Sequence, residues 1–128
     1  MFKSKNKSTI DSLIGASTHI EGNVHFKGGL RIDGRVKGNV VAEAGEPSIL
    51  VISEQAVIDG EVRAGHVVVN GVINGPVFSS DLIELQSKAR ISGDVHYKAL
   101  EMMNGALVSG KLAHDQVAEP VLKLAASN

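Results

Sequence analysis

Six times the chain repeats one short phrase: an aliphatic residue, any residue, glycine, any residue and a second aliphatic. The phrases are IEGNV from Ile20, VKGNV from Val36, IDGEV from Ile58, INGPV from Ile73, ISGDV from Ile91 and VSGKL from Val108. Their glycines, Gly22, Gly38, Gly60, Gly75, Gly93 and Gly110, follow one another at steps of 16, 22, 15, 18 and 17 residues. Longer matches run through the same region, and LRIDGRVKGNV at 30–40 returns as VVVNGVINGPV at 67–77. A period of about 18 residues marks a repeat architecture, in which each unit buries its apolar side only against its neighbours.

Alignment on the glycines produces columns. Two residues before them stand Ile20, Val36, Ile58, Ile73, Ile91 and Val108, and two after stand Val24, Val40, Val62, Val77, Val95 and Leu112. Eight before stand Ile14, Leu30, Ile52, Val67, Leu85 and Met102, and four before only small or short side chains, Thr18, Gly34, Ala56, Gly71, Ala89 and Ala106. Apolar residues on every second position, with polar ones between, make strands with one face in and one face out. Copies that all run in the same direction exclude a hairpin meander and predict coils stacked in parallel. The expected fold is all-β: a single parallel β-helix of six windings over residues 14–112, about 30 Å long at the usual strand spacing. Residues 1–13 are then a flexible leader and 113–128 a flexible tail. The 22-residue step contains AEAGEP at 42–47, a loop thrown out from one corner. Length variation on a solenoid edge is usually inert.

Composition excludes several function classes. Aliphatics must fill the core, because aromatic residues are only 3% of the chain. A net charge of −1 with acids and bases interspersed does not suit a nucleic-acid binder. Without cysteine there is no disulfide framework and no thiolate metal site. Nothing resembles a phosphate-binding glycine loop, an HExxH metal motif or a serine nucleophile motif, so neither catalytic residues nor a cofactor are expected. His25 and His96 share one outward column, but four windings place them about 19 Å apart, too far for a common metal. They, with His19, His66 and His114, read as surface histidines on strands. The competing enzyme reading is a left-handed hexapeptide β-helix acyltransferase trimer, whose windings have a similar length. It requires an aliphatic about every sixth position, whereas this chain alternates every second.

The ends of the stack carry the functional expectation. A terminal winding exposes unpaired backbone groups and the edge of the core, so a monomeric solenoid needs caps. None is legible here, although VLKLAA at 121–126 is the one apolar run beyond the repeats. Uncapped ends predict stacking of molecule on molecule into a homopolymer. The contact residues would be the inward aliphatics of the end windings: Ile14, Ile20 and Val24 at one end, Met102, Val108 and Leu112 at the other.

The phrases SLIGASTHIEGNV at 12–24, LRIDGRVKGNV at 30–40, LVISEQAVIDGEV at 50–62 and ARISGDVHY at 89–97, in that order, resemble the bactofilin family over about residues 9–114. The resemblance implies a right-handed parallel β-helix between flexible tails, and assembly through its ends into nonpolar, nucleotide-independent filaments. It also implies a bacterial cytoskeletal role, cytoplasmic and peripheral at the inner face of the membrane, scaffolding cell-wall enzymes or morphology and polarity factors. The leader MFKSKNKS is similar to the membrane-targeting peptide of many bactofilins, with Met1 and Phe2 beside Lys3, Lys5 and Lys7 and no acid before Asp11. Three lysines near an anionic leaflet contribute about 1 kcal/mol each, and burial of Phe2 about 2. A sum near ~5 kcal/mol gives only sub-millimolar binding for one copy, which a polymer multiplies by avidity. Deletion of residues 2–7 is therefore expected to abolish co-sedimentation with anionic vesicles; unchanged sedimentation would exclude the leader as the anchor.

Overall fold

The computed structural model describes residues 9–115. They form eighteen short strands in three six-stranded parallel sheets, and each winding contributes one strand to each sheet. Sheet A contains β1 (Ile10–Ile14), β4 (Gly28–Ile32), β7 (Ser48–Ile52), β10 (His66–Val69), β13 (Leu82–Leu85) and β16 (Ala99–Met102). Sheet B contains β2 (His19–Glu21), β5 (Arg35–Lys37), β8 (Val57–Asp59), β11 (Val72–Asn74), β14 (Arg90–Ser92) and β17 (Leu107–Val108). Sheet C contains β3 (Val24–Phe26), β6 (Val40–Ala42), β9 (Val62–Ala64), β12 (Val77–Ser79), β15 (Val95–Tyr97) and β18 (Leu112–His114). The chain is thus a β-solenoid of six windings. Its first strand begins at Ile10 and its last ends at His114, so the strands extend past the expected limits of 14 and 112 at both ends.

Two of the three predicted core columns are hydrogen-bonded neighbours throughout. Ile20, Val36, Ile58, Ile73, Ile91 and Val108 stack inside sheet B. Val24, Val40, Val62, Val77, Val95 and Leu112 stack inside sheet C. In the interior windings these side chains are closed to solvent, each contributing about 1.5–3 kcal/mol of burial.

The third column is corrected. Sheet A has two inward columns, one of Ile14, Ile32, Ile52, Val69, Leu85 and Met102, the other passing through Leu30, Leu50, Val67, Ile83 and Leu100. Leu30 and Val67, expected in the first column, belong to the second. The cause is the corner between sheets A and B. Windings one, three, five and six turn it with four residues, closed by bonds such as Ala56 N–H to the Ser53 carbonyl and Ala89 N–H to the Gln86 carbonyl, both 3.0 Å. Windings two and four use only Asp33–Gly34 and Asn70–Gly71. Counting back eight residues from the glycine therefore overshoots by one inward position in those two windings. Their shared short corner also explains why 30–40 and 67–77 match so closely.

Gly34 and Gly71 make the short corners possible, since a Cβ on either would strike carbonyl oxygens of the wider corner below, Gly15 and Thr18 for the first, Ser53 and Ala56 for the second. From Gly38 onward the glycine column obeys the same constraint at the corner between sheets B and C. A Cβ on Gly60 would meet the Gly38 carbonyl, one on Gly75 the Gly60 carbonyl, and one on Gly93 the Gly75 carbonyl. Beside it, side chains replace missing ladder bonds: Asn23 Oδ1 accepts the Asn39 N–H and Asn39 Oδ1 accepts the Glu61 N–H, both at 2.9 Å. Pro76, which brings no N–H, stands next in that row, at the corner between β11 and β12.

Gly60→Val is expected to force adjacent windings apart and cost about 3 kcal/mol or more, lowering the thermal midpoint by roughly 10 °C or more. Gly15→Ala is the control, because nothing lies within 4 Å of a Cβ there. Equal midpoints for the two variants in a thermal melt would refute the close-approach account.

Candidate polymerisation surfaces

Both ends of the solenoid are open among the described residues. The outer edges of β1, β2 and β3 at one end, and of β16, β17 and β18 at the other, have no strand beside them. Exposure follows directly. Leu85 and Val95 are fully buried, whereas their stacked neighbours Met102 and Leu112, one winding further out, are each 45% exposed. Val108, Ile20 and Val24 are half-buried against the core, while Ile14 is already buried at 9%. Of the six predicted contact residues, Met102 and Leu112 are the most open and Ile14 the least.

Four exposed apolar side chains at the ends escaped the sequence reading: Ile10, Leu13, Met103 and Leu107. Ile10 and Leu13 were lost because β1 begins before the expected boundary. Leu13 has a signal that could have exposed it, since it stands in an outward column with Arg31, Val51 and Val68. The predicted membrane residues Met1, Phe2, Lys3, Lys5 and Lys7, and the apolar run at 121–126, lie outside the described residues.

The outer faces differ in chemistry. Sheet C presents one column in which the Arg63 guanidinium lies 3.9 Å from the Phe78 ring centroid, and His96 stacks on Phe78 at 4.5 Å. His25 and His96 stand in this column, four windings apart. Beside it, the loop between β6 and β7 borders an open groove lined by Glu43, Glu46, Arg63, Phe78 and Asp115. On sheet A, His66 Nε2 pairs with Glu84 at 2.6 Å. Near the first short corner, Asp33 Oδ1 accepts from Arg31 Nε at 2.8 Å and from Ser53 Oγ at 2.6 Å, and these two bonds hold the carboxyl below its ordinary value. Among the described residues no three potential ligands converge on a metal site. No helix there is long and apolar enough to cross a membrane.

Comparison with known proteins matches this geometry. The family model described as bactofilin, polymer-forming cytoskeletal, matches residues 12–113. The chain belongs to the bactofilin family. Bactofilin BacO of Myxococcus xanthus is 25% identical over 114 residues, spanning 89% of this chain and 87% of BacO. Bactofilin BacP of the same organism is 23% identical over 109 residues, 85% of this chain but only 44% of BacP. A cryo-EM reconstruction of Thermus thermophilus bactofilin double helical filaments superposes with a TM-score of 0.71 at 29% identity, covering 80% of this chain and 98% of that one. This bactofilin is therefore a polymer-forming cytoskeletal protein that associates with copies of itself.

The Asp33 bonds make a pH prediction. A carboxyl whose folded pKa is depressed adds stability above its ordinary value of 3.8, and loses it as pH falls through the folded value. Asp33→Asn is expected to lower the thermal midpoint by at most about 5 °C at neutral pH. The difference should shrink to nothing in melts below the ordinary carboxyl range; a constant difference at all pH values would refute it.

Proposed function

We propose that this bactofilin polymerises by stacking its end windings, like end on like end, into nonpolar filaments that need neither nucleotide nor cofactor. The observation that carries this reading is the 45% exposure of Met102 and Leu112, whose interior counterparts are fully buried. A second molecule docked there would extend the three sheets, pair the open edges and close the core. Its strands would pair edge to edge as neighbouring windings do, but antiparallel, because a two-fold axis relates like ends. Pairing of two such strands, as in the double helical filaments of the Thermus relative, belongs to the same reading. The leader would hold the polymer at the inner face of the cytoplasmic membrane by avidity, where it would serve as a scaffold for cell-wall-modifying enzymes or polarity factors.

The test is negative-stain microscopy and sedimentation of the full chain in chelator without nucleotide. Filaments are expected for the native protein. Val108→Glu would place a charge in a contact that is otherwise apolar, and should raise the concentration needed for assembly at least about 100-fold, or about 2.7 kcal/mol, while its circular dichroism stays native. Discrete trimers of the native protein, or unaltered assembly of the folded variant, would overturn the reading.

A further inference from the structure

The outer face of sheet A is the broadest apolar face among the described residues, with Leu13, Ile49, Val51, Val68 and Leu82 all exposed or half-buried on it. One outward column reads Leu13, Arg31, Val51, Val68, Glu84 and Glu101, one residue per winding. A two-fold axis lying in the interface, parallel to the strands and midway between the third and fourth, lays a second copy face to face on this one with its stacking direction antiparallel. Val51 then faces the partner's Val68, and Arg31 faces the partner's Glu84. Glu84 and Glu101 are like charges on adjacent strands, an arrangement that an incoming cation relieves. The same operation on sheet B sets Arg35 against Arg90 around the pair Val57 and Val72, a like-charge clash. Sheet C offers only the single column of Arg63, Phe78 and His96, flanked by the protruding loop.

From this self-complementarity we infer that sheet A is the lateral interface through which two strands of the polymer pair, second copy to second copy across a local two-fold. The inference rests on the filament reading above and names the surface that joins its paired strands. Its size explains why pairing belongs to the polymer and not to the free protomer. Six strands of about four residues present a footprint of roughly 300 Å², so a single pair buries well under the roughly 1,200 Å² of a stable interface. Repetition along two filaments multiplies the contact.

The absence of cysteine allows a direct test. Val51→Cys and Val68→Cys proteins, made separately, mixed under assembly conditions and oxidised, should give a disulfide-linked dimer at least about tenfold more abundant than a mixture of Val57→Cys and Val72→Cys, through local concentration. Equal yields would overturn the inference. In microscopy, Val51→Glu should leave filament length and sedimentation unchanged but convert pairs to single strands. Arg31→Glu and Glu84→Arg should each do the same, and together restore pairing. Failure of the double variant to restore it would overturn the antiparallel register. If Val51→Glu kept pairs but lost anionic-vesicle binding, the face would be a membrane surface and the inference wrong. Absence of filaments in the native protein would refute end-stacking, whereas filaments with equal cross-link yields would refute the lateral contact alone.

Discussion

Everything in this molecule depends on how closely one winding lies on the next. Parallel strands sit about 4.8 Å apart, and a corner stacked on a corner at that distance has no room for a side chain that points into the winding below. The carbonyl of Gly38 occupies the space that a Cβ on Gly60 would need, and the same holds for Gly38, Gly75, Gly93 and Gly110 against the glycine one winding below. Glycine at this corner lets three sheets keep one common spacing, and the spacing closes the ladders that hold the stack together. The aliphatic columns supply most of the burial, but they can form only because the corners permit the windings to settle.

The corner between sheets A and B solves the same problem in two ways. The wide corners of the third, fifth and sixth windings hold a buried alanine, Ala56, Ala89 and Ala106, while narrow corners place Gly34 and Gly71 against the carbonyls of the wide corner beneath. Alternation of wide and narrow through the first four windings fits one corner within the next. It also shifts the inward positions of sheet A relative to the glycines, so Leu30 and Val67 sit one inward place away from Ile14 and Ile52. Side chains repair what the corners leave open, as Asn23 and Asn39 do for the amides above them.

A repeat that satisfies itself only through neighbours has no internal reason to stop. Interior windings find partners on both sides within the chain, and terminal windings find one on the inner side only among the described residues, so the chemistry that folds the molecule is also available to polymerise it. The outer faces then divide the remaining work by charge. Like charges across sheet B and the crowded loop beside sheet C contrast with the apolar, two-fold-compatible pattern of sheet A. In the proposed filament, stacking and lateral pairing would use different chemistry, an open core edge in one case and a self-complementary sheet face in the other.

The period, the parallel direction and the columns of sheets B and C were all legible in the sequence, because each is set by local alternation and by a glycine at constant distance from its flanking aliphatics. The inward assignment of Ile14, Val108 and Leu112 was legible for the same reason. The second inward column of sheet A was not, since the length of a corner is a property of how windings nest and not of any one repeat. Nor was the degree of exposure of Met102 and Leu112, inward residues left open where the described stack ends. By itself the sequence determined that the chain is a stack of like units with an aliphatic interior. Only the tertiary structure decided which side chains share a ladder, which ends stay bare and which outer face matches itself, because register and stacking are relations between residues a full winding apart.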